Sequence, residues 1–244
     1  MTLPDMTTPP PAGPARIPFV TDFVRLARVL VSPTAVFEEQ REAPTFWIPW
    51  LVISLLMLVV TTFSFPYTLA MAKLGAAAAG RPFPASAAGI MRVTQYVAVP
   101  IVMLIIVFLS AGVMYVVLMA SGTEARFKGL MTVAVFTGLL GVLQGVLMLV
   151  VLKLRDPTTM QTIADYQVSF GLDLVLPQDA SLGKFLDGML KGISPISIWG
   201  LAINAIGIRT MEKTSKGAAW TAAGVAFVLT LCLAGLGNSF QGGR

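Results

Sequence analysis

The chain has no histidine and a single cysteine among 244 residues. Without histidine it lacks the commonest metal ligand and the commonest general base at neutral pH. Cys232 has no partner for an intramolecular disulfide, and its place inside an apolar run reads as a small packing residue. Charge is scarce too. Asp, Glu, Lys and Arg make up 12% of the chain, about half the share of an ordinary soluble domain. That charge avoids five stretches altogether: residues 45–66, 96–120, 130–152, 192–208 and 218–236. Ionisable groups at membrane depth mark pumps, ion-coupled carriers and intramembrane proteases, and these stretches supply none. H-E-x-x-H, the P-loop and G-x-S-x-G with a His partner are also missing. No catalytic residue, metal site or cofactor is expected.

What is present is oil. Hydrophobic residues make up 56% of the chain, and a run of about 20 apolar residues is enough to cross a bilayer as a helix. The runs are continuous rather than alternating, which argues against a barrel; backbone polar groups in lipid then require helices. The expected fold is all-α: a polytopic membrane bundle of about five transmembrane helices, preceded by amphipathic interfacial helices. The net charge of +5 sits between the spans, where it sets topology and meets anionic headgroups. No basic patch interleaves with aromatics, so nucleic acid is not an expected partner; the lipid bilayer is.

Residues 1–17 are rich in Pro and Thr and are expected to be disordered. Residues 18–42 read as amphipathic helices. In the first, Phe19, Phe23, Leu26, Ala27 and Leu30 form the apolar stripe, with Arg25 and Arg28 off it; it suits either the membrane surface or the ends of the spans. Ser32-Pro33 starts a second helix carrying Phe37 on its apolar side, and Pro44 ends it. The membrane domain covers 43–238. Trp47 and Trp50 fall where an aromatic belt belongs. Pro66 is expected to close the first span, followed by a 67–95 loop with a short Ala-rich helix at 68–79. Residues 180–191 look amphipathic, Arg209, Glu212, Lys213 and Lys216 form a polar turn, and 239–244 are a polar tail.

Two neutral polar residues lie inside spans, Gln144 and Asn204, and are candidates for interhelix hydrogen bonds. Gly138, Gly141 and Gly145 in the third span, with Gly200 and Gly207 in the fourth, are candidates for close helix packing; self-association through them stays open. Short basic loops and the arginines of the N-terminal region fall on one side, which the positive-inside rule makes cytosolic, leaving the C-terminus external.

Three segments together resemble the Yip domain family, the Ypt/Rab-interacting membrane proteins and their bacterial relatives. They are LARVLVSPTAVF at 26–37, FKG at 127–129 and IWGLAINAIGI at 198–208, the last followed by a basic turn and a final span. Family members often carry a Tyr-Ser-x-x-Pro-like element in span three; here FTGLLG stands at 136–141, without the proline. The resemblance implies five spans, a cytosolic N-terminus and no catalytic site, and points to a bacterial inner-membrane member. Two functions remain. One is a non-enzymatic scaffold or adaptor whose N-terminal helices, with Phe19, Phe23, Arg25, Arg28 and Phe37, bind lipid or another membrane or cytosolic protein. The other is a small-solute transporter or channel component with Gln144, Asn204, Thr137 and Ser110 along a path.

Overall fold

A computed structural model describes residues 18–175 and 183–241. Eight α-helices account for most of them: α1 (Pro18–Val29), α2 (Pro33–Arg41), α3 (Trp47–Ala78), α4 (Ala87–Ala120), α5 (Phe127–Leu154), α6 (Gly183–Gly192), α7 (Pro195–Glu212) and α8 (Lys216–Gln241). Single 3-10 turns at Pro157–Thr159, Ile163–Tyr166 and Leu172–Val175 thread the α5–α6 connection. No strand occurs among the described residues. The expectations for residues 1–17 and for the Phe19 side chain fall outside the described set.

Four helices, α3, α4, α5 and α8, are long and apolar enough to cross a membrane, yet only 22–33% of the most apolar window of each is buried. The rest looks outward. On α4 the outward face carries Ile101, Val102, Ile105, Ile106, Phe108 and Leu109, a surface that only lipid solvates without penalty. The fifth candidate is a bent pair: α7 is long and apolar enough only together with α6, from which it departs at 66°. The break is local chemistry: α6 ends at Gly192, and Ser194 opens α7 with a capping box to Ser197 and Pro195 in the first turn.

α3 and α4 are longer than the apolar runs foretell. α3 continues through Pro66 to Ala78, and α4 begins at Ala87, ahead of Tyr96. Pro66 therefore does not close a helix, and the 67–95 stretch is mostly two helix ends rather than a loop. Alanine is the best helix former, and the Ala-rich run continues the helix beyond the single hydrogen bond that Pro66 forfeits. At 32 and 34 residues these helices measure about 48 and 51 Å, against about 30 Å of hydrocarbon. The far end of α3 rests on the Ile163–Tyr166 turn, where Ile163 Cδ1 lies 3.9 Å from where a Cβ on Gly75 would be. α8 likewise runs on to Gln241, into the polar tail.

α5 is the central post, packed on α3, α4 and α7, while α8 packs on α4, α6 and α7. α7 runs antiparallel to α5. Gly200 lies against Leu140 and Thr137, Asn204 meets Thr137, Gly207 lies against Val133, and Glu212 reaches Gly129. The core between them is filled by Phe136, Leu130, Ile53, Ile203 and Ile208, each at most 1% exposed. At the end away from α1 and α2, helices α6 and α8 touch backbone to backbone. A Cβ on Gly188 would stand 2.6 Å from Asn238 Cβ and 2.9 Å from Gly235 Cα.

Candidate functional site

The α1–α2 end of the bundle is where chemistry converges. α2 lies on α7, and α1 packs on α2, α3 and α5. Phe37, fully buried, drives into the notch left by Gly207: a Cβ there would be 2.8 Å from Phe37 Cε2 and 2.8 Å from Val133 Cγ1. Its ring meets Phe136 edge-on at 6.0 Å between centroids. Gln40, also fully buried, accepts hydrogen bonds at Oε1 from the Thr45 N–H (2.9 Å) and hydroxyl (3.1 Å), which closes the turn from α2 into α3.

Further along α7 stands a buried carboxylate. Glu212, at the end of α7, has a side chain only 1% exposed. Its Oε2 accepts from the Arg126 N–H at 2.8 Å, at the N-cap of α5, and lies 3.7 Å from Arg126 Nε. The carboxylate thus satisfies a free donor at a helix N-terminus, where negative charge is favoured. Arg126 binds this corner together: Nη1 donates to the Arg41 carbonyl (3.1 Å) and Nη2 to the Met211 carbonyl (2.9 Å). Glu212 Oε1 has no partner among the described residues and fills the space beside Gly129, 2.3 Å from where a Cβ would be.

The three segments that carried the family resemblance therefore meet here, one through Phe37, one through Gly129 and one through Gly207. Glu212 was missed, placed by its neighbours in an exposed basic turn. Its position continues the buried α7 register Ala205, Ile208 at helical spacing, while Arg209 and Lys213 point outward; extending the period by one turn would have found it.

The remaining candidates disperse. On α1 the buried residues are Leu26 and Val29, whereas Phe23 is 49% exposed, so of the apolar stripe Leu26 faces the bundle and Phe23 looks outward. Burial of Leu26 and Val29 against the bundle sets that rotation, and Arg25 Nε and Arg28 Nη1, reaching Glu39 at 3.0 and 2.9 Å, hold α1 to α2 in it. Asn204 Oδ1 accepts from the Thr137 hydroxyl at 2.9 Å, joining α7 to α5. Gln144 makes no interhelix hydrogen bond among the described residues and instead lines a hollow of about 390 Å³ at the opposite end, with Ser169, Lys191 and Asn238. A Cβ on Gly145 would stand 3.1 Å from Val60 Cγ1 and one on Gly138 4.0 Å from Ile53 Cδ1, both on α3, but nothing would lie within 4 Å of a Cβ on Gly141. The G-x-x-x-G pair is thus not a two-point contact, and the glycines of α5 and α7 do not face one another. No group of three metal-ligating side chains occurs among the described residues.

The hydrogen bond from Arg25, with a lesser one from Arg28, holds the Glu39 carboxyl below its ordinary value against the opposing effect of burial. A depressed carboxyl stabilises the folded state above its ordinary pKa of 4.5 and loses that contribution as pH falls through the lower folded value. The pair is partly exposed, so the effect is small, about 0.2–1 kcal/mol. At pH 7, Glu39→Gln should loosen α1 and raise its protease sensitivity. Well below pH 4.5 wild type and variant should be cut alike, and a difference that persists there would count against the ion-pair latch.

A bundle of apolar helices, one end tied by buried polar contacts and clad by two short amphipathic helices, defines a multi-pass membrane protein. The Yip1 domain family matches residues 27–237, and the chain belongs to that family. No curated protein and no solved structure matches it significantly.

Proposed function

We propose that this Yip1-family protein is a non-enzymatic membrane scaffold or adaptor whose docking end is the one carrying α1 and α2, facing the cytosol of a bacterial cell from its inner membrane, with the C-terminus external. The observation that carries this reading is the outer side of α1. With Leu26 and Val29 buried, Phe23, Val24 and Val31 remain 49%, 48% and 80% exposed. Phe23 and Val24 share one face of α1 with Ala27, on a helix paired to Glu39, and Val31 follows in the turn just past the helix end. A rigid apolar face at the rim of a bundle is what a lipid surface or a partner protein needs. The orientation rests on the short α4–α5 and α7–α8 turns, which carry Arg126, Lys213 and the flanking Lys128 and Lys216.

The alternative, a small-solute transporter or channel component, draws on the hollow above Gln144. A path onward would have to pass Phe136, Leu140 and Ile203, which are 0–4% exposed and mutually packed, and this favours the scaffold. A photo-cross-linker at Val31 in membranes should capture one defined protein or lipid. Capture of lipid alone would remove the protein-partner version, and no capture at Val31 or Phe23 would remove the docking reading. Solute flux in proteoliposomes that responds to Asn204→Leu would replace it with the transporter.

A further inference from the structure

A second feature of this end lies on the outer seam between α2 and α7, a hollow of about 400 Å³. Thr34, Glu38 and Arg41 line one wall, at helical spacing along α2. Arg209 and Thr210 in the last turn of α7, Lys213 just past its end and Ile206 one turn earlier line the other. Three cations thus face one carboxylate. Among the described residues none of these four side chains makes an ion pair, although Arg25, Arg28 and Arg126 at the same end all do. Cations in the last turn of α7 offset its dipole, but Arg41 comes from another helix, and its carbonyl is fixed by Arg126. The two threonine hydroxyls also have no partner among the described residues.

We propose that this hollow binds a phosphomonoester. Such a group carries about −1.5 to −2 charges at pH 7 with three acceptor oxygens, matching the two uncompensated positive charges. A phosphodiester or a carboxylate, with one charge, leaves a cation unmatched. Arg41 and Arg209 supply planar donor forks, Lys213 a point charge and the threonines neutral donors. The hollow opens beside the polar turn after α7, so the group arrives either on a lipid or as free phosphate. The site rests on the docking reading only for the identity of this end.

The test uses the full chain in phosphatidylcholine nanodiscs doped with phosphatidic acid or with phosphatidylglycerol at equal charge, and inorganic phosphate titrated into undoped discs. Native mass spectrometry reads bound lipid, and thermal stability reads phosphate. Phosphatidic acid should be retained about tenfold better than phosphatidylglycerol, a preference lost in Arg41→Gln/Arg209→Gln and strengthened in Glu38→Gln. Stabilisation by inorganic phosphate that vanishes in the same double variant, without lipid preference, would assign the site to a soluble phosphate. Equal retention of the two lipids with no phosphate effect, or effects unchanged in the double variant, would overturn the proposal. Cross-linking from Val31 is read separately, so the failure of one leaves the other standing.

Discussion

Gly207→Val should unseat α2 from the bundle. The added side chain would begin 2.8 Å from Phe37 Cε2, 2.9 Å from Phe37 Cζ and 2.8 Å from Val133 Cγ1. Neither neighbour has room to give: both are fully buried, and the Phe37 ring is already wedged against Phe136. Overpacking a filled core costs about 1–3 kcal/mol. Lifting α2 away relieves the clash but abandons the burial of Val36, Phe37 and Gln40. Melting in detergent should fall by several degrees, and limited proteolysis should now cut between α1 and α3. Phe37→Ala combined with Gly207→Val should be milder than the sum of the two, because the same contact is removed twice. A wild-type melting temperature and cleavage pattern for Gly207→Val would show that this notch does not seat α2.

Arg126→Ala is expected to be as damaging, for an electrostatic reason. Glu212 is sealed from solvent, and its charge is answered by one backbone N–H and by the Arg126 guanidinium. Removing one partner of a buried pair leaves an uncompensated charge and costs about 3–5 kcal/mol. The lower end applies here, since Arg126 is half-exposed and the N–H contact survives. The discriminating measurement is the double variant. Glu212→Gln keeps the shape but removes the charge, so Arg126→Ala/Glu212→Gln should be clearly more stable than Arg126→Ala alone. Strictly additive effects would instead place the role of Arg126 in its bonds to the Arg41 and Met211 carbonyls.

Both experiments address the same corner, and its legibility in the sequence was uneven. Phe37 and Gly207 stood out as candidates, but nothing in local pattern linked them, because residues 37 and 207 meet only once α2 folds back onto α7. Gly138, Gly141 and Gly145 looked equivalent at helical spacing. Only the placement of α3 separates the contact at Gly145 from the open space at Gly141. On α1, periodicity groups Phe23 with Leu26 in one apolar stripe. Only the contacts with α2, α3 and α5 decide that Leu26 is buried and Phe23 exposed. Gly188 and Gly235, the closest helix contacts at the far end, escaped notice because single glycines in α6 and α8 carry no motif.

The class of the molecule was decided by composition alone. Uncharged runs of this length have one stable solvent, and the backbone's need for hydrogen bonds in that solvent leaves only helices. The helix starts marked by Ser32-Pro33 and Ser194-Pro195 were likewise local matters of capping. Tertiary structure decided the rest: the break that sets α6 across α8, the burial of Glu212 against Gly129, and the gathering of Arg41, Arg209 and Lys213 around one hollow. Each depends on which side of a helix meets which neighbour. That is a property of packing between distant segments, 170 residues apart for Phe37 and Gly207, and periodicity within a single segment does not encode it.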